Sequence, residues 1–210
     1  MKVISIANPD AIPLAAAAVA QGELIVVPTD TVYGVACSPF NEKSIARLYV
    51  AKNRPHEKAI QVLLADTGDA LQVAKSVPPL ARFLAARFWP GALTMTFPKR
   101  DGLPPNLSVY PTVGVRVPDH DQCRALIRAV GGALAATSAN RSGEANPTTV
   151  QQAVAALGES VSVYLDGGQT AGDRASTVIE LHEDSFTVLR EGPITEAMLS
   201  EALAAWKSGG

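Results

Sequence analysis

The stretch Glu23-Leu24-Ile25-Val26-Val27-Pro28-Thr29-Asp30-Thr31-Val32-Tyr33-Gly34 changes character at one residue. Up to Val27 it is a short β-branched run, the texture of a strand buried on both faces. Pro28 stops the run, and the next side chains are short hydroxyls and a carboxylate suited to a turn. The segment before it, Ile12–Gln21, is rich in Ala and reads as a helix. Helix, strand and a polar loop at the strand's carboxyl end make the unit of an α/β protein. In open α/β sheets that end is where ligands bind.

The same texture continues outward. Ile60–Ala65, Leu93–Phe97, Val113–Val117, Val161–Leu165, Thr177–Leu181 and Phe186–Leu189 read as strands, with Ala133–Ala136 strand-like. Lys43–Ala51, Gly68–Lys75, Pro79–Phe88, Asp121–Val130, Thr149–Leu157 and Thr195–Trp206 read as helices. Asn41, Asp119 and Thr148 or Thr149 supply start signals. The last two strands, joined by His182–Ser185, form an antiparallel hairpin, so the sheet is mixed. No repeat, charge block or Gly/Ser linker divides the chain. Residues 1–210 are therefore predicted to form one domain, ending in a helix over 195–206 and a frayed tail at Lys207–Gly210.

Composition excludes several classes. With 210 residues, 47% of them hydrophobic and 18% charged, the chain builds a core without disulfide or metal staples. A net charge of −2 argues against a general nucleic-acid binder and leaves room only for a local basic patch. Cys37 and Cys123 belong to no CxxC pair, and His56, His120 and His182 form no ligand-spaced cluster. No protein-built metal site is expected. The N-terminus lacks a secretory signal, and no apolar run approaches the roughly 18 residues of a membrane span. A soluble, cytoplasmic protein without membrane contact is expected.

The polar segments at the strand ends carry the chemistry. Pro28–Gly34 comes after the first strand, and Lys52-Asn53-Arg54-Pro55-His56-Glu57-Lys58 comes after a helix. Thr137-Ser138-Ala139-Asn140-Arg141-Ser142-Gly143 and Asn146-Pro147-Thr148-Thr149 come after the Ala-rich strand. Ser176 opens one strand and Arg190 closes another. Each alone fits ordinary turn, cap or helix-end chemistry. Arg116 does not: an arginine within Val-Gly-Val-Arg-Val-Pro needs an anionic partner, either Asp30 or Asp166 or a ligand. Together these segments supply Arg forks, a Lys point charge and Ser and Asn groups, a set suited to a polyphosphate. The chain contains no Walker A, G-x-G-x-x-G, HExxH or G-x-S-x-G motif.

Five segments also resemble, in order, those of the YrdC family of threonylcarbamoyl-AMP synthases. They are Pro28-Thr29-Asp30-Thr31-Val32-Tyr33-Gly34, Lys52-Asn53-Arg54-Pro55, Val113-Gly114-Val115-Arg116-Val117-Pro118, Ser138-Ala139-Asn140-Arg141-Ser142-Gly143 and Ser176-Thr177-Val178-Ile179. The resemblance runs from about Val3 to Gly192 and looks like the single-domain type. It implies an α/β fold with a twisted, largely parallel mixed sheet flanked by helices around a concave basic cavity. It implies a nucleotidyltransferase that joins L-threonine, bicarbonate or carbon dioxide, and ATP into threonylcarbamoyl-AMP and pyrophosphate. Threonylcarbamoyl-transferase proteins would then modify the tRNA adenosine next to the anticodon.

By that resemblance Lys52 and Arg54 are catalytic, and Lys52, Arg54, Ser138, Asn140, Asn146 and Arg190 bind ATP. Thr31, Arg116 and Ser176 bind L-threonine, with Arg116 on its carboxylate. Mg2+ would come with ATP rather than sit on a protein cluster. The chain departs from many relatives at Val50, Ala59 and Ala92, none of which carries an assigned role. The competing reading is an RNA-binding or ribosome-associated module with weak RNA affinity in the same cavity. The net charge and the low aromatic content, 5%, count against it.

Overall fold

Ten strands form one sheet in the computed structural model, which describes residues 1–209. In chain order they are β1 (Lys2–Ser5), β2 (Ile25–Val27), β3 (Gly34–Cys37), β4 (Gln61–Leu64), β5 (Leu93–Pro98), β6 (Thr112–Arg116), β7 (Ala133–Ser138), β8 (Val163–Asp166), β9 (Thr177–Leu181) and β10 (Phe186–Arg190). Their order across the sheet is β1-β8-β2-β3-β7-β4-β6-β5-β9-β10. The helices are α1 (Ala11–Ala20), α2 (Glu42–Lys52), α3 (Pro79–Phe88), α4 (Asp121–Ala129), α5 (Val150–Leu157) and α6 (Glu196–Lys207).

The mixed α/β architecture is as the sequence predicts. Parallel pairings join β1 to β8, β2 to β8, β4 to β6 and β5 to β9. Antiparallel pairings join β2 to β3, β3 to β7, β4 to β7, β5 to β6 and β9 to β10. The balance is more even than a largely parallel sheet suggests, and β3 is the reason. Its Gly34-Val35-Ala36-Cys37 run is buried on both faces and has one β-branched residue, so neither alternation nor propensity marks it as a strand. Missing it hides two antiparallel pairings.

Two apolar clusters hold the sheet. On one face Val62, Leu64, Met95, Val115 and Ile179 pack with Leu48, Leu84 and Leu199 of α2, α3 and α6. On the other, α1 and α4 bury Ile25, Val27, Ala36, Leu63 and Leu134 under Ala15, Val19, Leu126 and Ile127. Each fully buried Leu or Ile contributes about 1.5–3 kcal/mol over an exposed one. Among the described residues no member of the second cluster comes from β5, β6, β9 or β10. That face of the sheet carries no helix there, and a hollow results.

The helix starts show what the residues can do. Asn41 caps α2 by accepting from Ser44 N at 3.1 Å, and Thr149 with Gln152 forms a capping box on α5. α4 starts differently from the expected Asp119 signal: His120 caps it, its Nδ1 accepting from Cys123 N at 3.2 Å. The expected helix at Gly68–Lys75 shrinks to a 3-10 segment, Thr67–Gln72, closed by Asp66 and Asp69. The tail expected to fray begins after Lys207, the last helical residue. Ser208 N still donates to Ala204 O at 3.1 Å, and Gly210 lies outside the described residues. No helix among the described residues is long and apolar enough to cross a membrane.

Candidate active site

Strand alternation decides which residues line the hollow. Val113, Val115 and Val117 point into the helix-covered core, so Thr112, Gly114 and Arg116 face the other way. Beside them β5 presents Thr94 and Thr96, β9 presents Val178 and Glu180, and β4 presents Gln61 and Leu63. Gly114 keeps the floor low: a Cβ there would stand 3.1 Å from Thr94 Cγ2. The cavity measures about 520 Å³, within the range of small-molecule sites. Arg54, Arg116 and Arg190 line it, against one carboxylate, Glu180.

Arg116 is 2% exposed and anchored from three sides. Its Nε donates to Gly91 O at 2.8 Å, Nη1 to Thr31 Oγ1 at 3.0 Å and Nη2 to Asp30 Oδ1 at 2.5 Å. Asp30 is therefore the protein partner, one of the two carboxylates the sequence offered. Three of the five guanidinium N–H groups are engaged, which leaves one on each terminal nitrogen. The Thr31 hydroxyl is set by its own turn: Thr29 Oγ1 lies 3.0 Å from it and donates to Val32 O at 2.7 Å.

Ser176 lies just before β9, two strands from β6. Its hydroxyl is 2.9 Å from Thr94 Oγ1, which donates to Gln61 Oε1 at 2.8 Å. Arg190 brackets the same residue, donating through Nε and Nη2 to Ser176 O at 3.0 and 2.7 Å. Burial, then the charges of Arg116 and Arg54, lower the Arg190 pKa. The three guanidinium groups thus share a field with a shortage of anions.

The Lys52–Pro55 segment divides its two cations. Asn53 takes the left-handed conformation, φ 47°, while Asn53 N and Arg54 N bond back to Val50 O and Tyr49 O. This helix end turns Arg54 into the cavity, where its fork is held by Lys58 O and Ala59 O, both at 2.8 Å. Lys52, expected to meet phosphate as a point charge, is 1% exposed and does not line the cavity. Its ammonium donates to Ser138 O, to Asn140 O at 2.5 Å and to Asn140 Oδ1 at 3.2 Å. Asn140 is likewise turned inward: Oδ1 accepts from Ser138 Oγ at 2.6 Å and Nδ2 donates to Glu144 O at 2.6 Å. The structure therefore brings Thr31, Arg54, Arg116, Ser138, Ser176 and Arg190 together around one cavity. Lys52 and Asn140 stand behind it as a clamp, and Asn146 lies half-buried outside the lining.

Burial pulls the Lys52 pKa down to about 7, with the Arg54 charge adding and the Glu144 charge opposing. The folded value lies below the ordinary 10.5, so between these values the unfolded chain holds the extra proton and stability rises with pH. Lys52→Met removes that titration. The stability difference between wild type and variant, from urea unfolding, should grow in favour of wild type from about pH 7 to pH 10. A difference flat across this window would contradict the buried titration.

Cys37 and Cys123 are both buried, and burial pushes their thiols up to about 12. Neither can supply a thiolate near neutral pH. Replacing both with Ala should leave catalytic turnover within severalfold, and thiol reagents should not inactivate the folded protein. Full inactivation of a folded double variant would refute this.

Sequence reasoning missed Gln61, Thr94, Thr96, Thr112 and Glu180. They are isolated polar positions within or at the start of apolar strands, and only the alternation of those strands, once paired, marks them. Among the described residues no three His, Cys, Asp or Glu side chains gather as a metal site.

Residues 17–192 match the family Sua5_yciO_yrdC, described as telomere recombination. The Bacillus subtilis threonylcarbamoyl-AMP synthase is 36% identical over 198 residues, covering 93% of this chain and 57% of that protein. The structure of Pyrococcus abyssi Sua5 complexed with L-threonine superposes with a TM-score of 0.88 at 33% identity, over 91% of this chain and 56% of the other. Escherichia coli YciO superposes with a TM-score of 0.80 at 26% identity, over 91% of this chain and 94% of the other. The chain thus spans a little over half the length of the first two and nearly all of the third. The match covers most of the chain, including every strand of the cavity floor, and the chain belongs to the Sua5/YciO/YrdC family.

Proposed function

We propose that the chain is a threonylcarbamoyl-AMP synthase, acting on L-threonine, bicarbonate or carbon dioxide, and ATP. The observation that carries this reading is the cavity itself. Three guanidinium groups and the hydroxyls of Thr31, Ser138 and Ser176 line one space of about 520 Å³. Relatives named threonylcarbamoyl-AMP synthase and a related structure containing L-threonine support it.

The chemistry asks for positioning and charge neutralisation, not a protein nucleophile. The threonine amine, as the free base, and bicarbonate give a carbamate and water. A carbamate oxygen then attacks the α-phosphorus, the bond to the bridging oxygen breaks, and pyrophosphate leaves. Arg116 holds the threonine carboxylate through its two free guanidinium N–H groups, Thr31 fixes the direction of Nη1, and Ser176 meets the threonine hydroxyl. Arg54 and Arg190 offset charge on the triphosphate, and Ser138 donates to a further oxygen when its hydroxyl turns from Asn140 Oδ1. Lys52 and Asn140 act on this reading by fixing the Ser138 loop. Asn146 is assigned to ATP from the adjoining segment, which Tyr33 N ties to the Thr31 turn through Pro147 O at 2.9 Å. Magnesium enters as part of the MgATP substrate, since the lining offers a single carboxylate.

The product would pass to threonylcarbamoyl-transferase proteins acting on tRNA, in the cytoplasm. An RNA-binding role for the same cavity is not favoured: a track for single-stranded RNA stacks bases on several aromatic side chains. Here the lining aromatics are Tyr33, whose hydroxyl is tied to Gly167 N and Gly168 O, and Tyr110 at the mouth. Incubation with ATP, L-threonine and isotopically labelled bicarbonate should give an adenylate carrying the label, read by mass spectrometry. An adenylate without the label would overturn the proposal.

A further inference from the structure

Glu180 stands out within the cavity as an acid among three guanidinium groups that pairs with none of them. Among the described residues its carboxylate belongs to no ion pair, while Arg116 takes Asp30. The sheet register explains the separation. Val115, Met95 and Ile179 lie level across β6, β5 and β9, so Glu180 sits beside Thr96, two strands and two residues from Arg116. At about 4.8 Å per strand and 3.3 Å per residue, the two Cα atoms are roughly 12 Å apart. Thr96 lies level with Glu180, and Thr112, Val178, Tyr110 and Leu189 line the same cavity. Leu189 and Tyr110 are 55% and 51% exposed at the mouth, which suits the face of a flat heterocycle.

We propose that Glu180, with Thr96 and Thr112 beside it, is the subsite for the ribose hydroxyls of the nucleotide, and that it selects ribonucleotides over deoxyribonucleotides. The proposal rests on the synthase reading for the direction in which the nucleotide lies. With threonine at Arg116 and the phosphate charge met by Arg54 and Arg190, Glu180 is the lining group left for an uncharged, hydroxyl-bearing part of the nucleotide. A carboxylate accepting from a vicinal diol is an established way for proteins to hold ribose. It also gives an acid a use where the remaining charges are positive: a neutral diol donates to it without competing for the guanidinium groups.

The test compares ATP with 2′-deoxy-ATP in wild type, Glu180→Ala and Glu180→Asp, by steady-state kinetics and by calorimetric binding. Wild type should prefer ATP at least tenfold, the worth of a hydrogen bond to a charged group. Glu180→Ala should lose that preference by raising the ATP KM, with the threonine KM within twofold. Glu180→Asp should restore part of it. Equal loss for both nucleotides, or no change for either, would overturn the ribose assignment. A rise confined to the threonine KM would do the same and point to an amino-group contact. If wild type shows no threonine-dependent turnover, the synthase reading fails, while the binding ratio of the two nucleotides still decides the ribose subsite.

Discussion

Arg116→Lys should lower L-threonine affinity by about 1.5–3 kcal/mol, the range of a charge-assisted hydrogen bond, while ATP affinity stays nearly unchanged. Lysine keeps the charge but not the planar fork. Its single ammonium would turn to Asp30, the carboxylate that lies 2.5 Å from Nη2 in the folded protein. The bond to Gly91 O and the N–H groups left for a substrate carboxylate would go together. Titration calorimetry of the folded variant with each ligand reads both effects. Unchanged threonine binding would make the Asp30 pair the whole role of Arg116, and equal loss of both ligands would make it a nucleotide contact.

Among the described glycines, Gly192→Ala should be the most disruptive change. A Cβ at Gly192 would overlap Ala175 O and Thr177 N and come within 2.6 Å of Ser176 C. These are backbone atoms, so no side-chain rotation relieves the clash. Gly192 N also donates to Thr177 Oγ1 at 2.9 Å, and that hydroxyl donates on to Ile194 O at 2.6 Å. The segment after β10 is thereby pinned against the start of β9, where Ser176 and Arg190 meet. Overpacking of this kind costs about 1–3 kcal/mol of stability. Because the displaced strand carries Ser176, threonine binding should fall at least as much as thermal stability does. A variant as stable and as tight for threonine as wild type would show that the segment gives way without disturbing Ser176.

The share of this site that is legible in the sequence depends on where each signal is stored. β2, β6 and β9 announce themselves by β-branched runs, and the alternation in Val113–Val117 already assigns Arg116 to the face away from the valines. Asn41 and Thr149 are caps by residue type alone. Local chemistry also picks out Thr31, Arg54, Ser138, Ser176 and Arg190, which line one cavity, since each lies at or beside the end of a strand or helix. Lys52 and Asn140 are different. Residue type makes both good phosphate ligands, but direction depends on the left-handed turn at Asn53 and on the Ser138 loop crossing the end of α2. Those are tertiary facts. Glu180 is the opposite case: one acid in Thr-Val-Ile-Glu-Leu carries no signal until β5 and β9 are seen to pair in register. His120 as a cap in place of Asp119 shows the same limit at smaller scale, because a ring nitrogen substitutes for the usual carboxylate.

The central claim is that one cavity holds an amino acid and a nucleotide together and joins them through a carbamate. Pyrophosphate release from ATP, measured with L-threonine and bicarbonate each omitted in turn, tests it most directly. The account predicts release only when both are present, and loss of release when either is left out. Equal release without threonine would contradict it and leave the cavity as the site of a simple ATP pyrophosphatase.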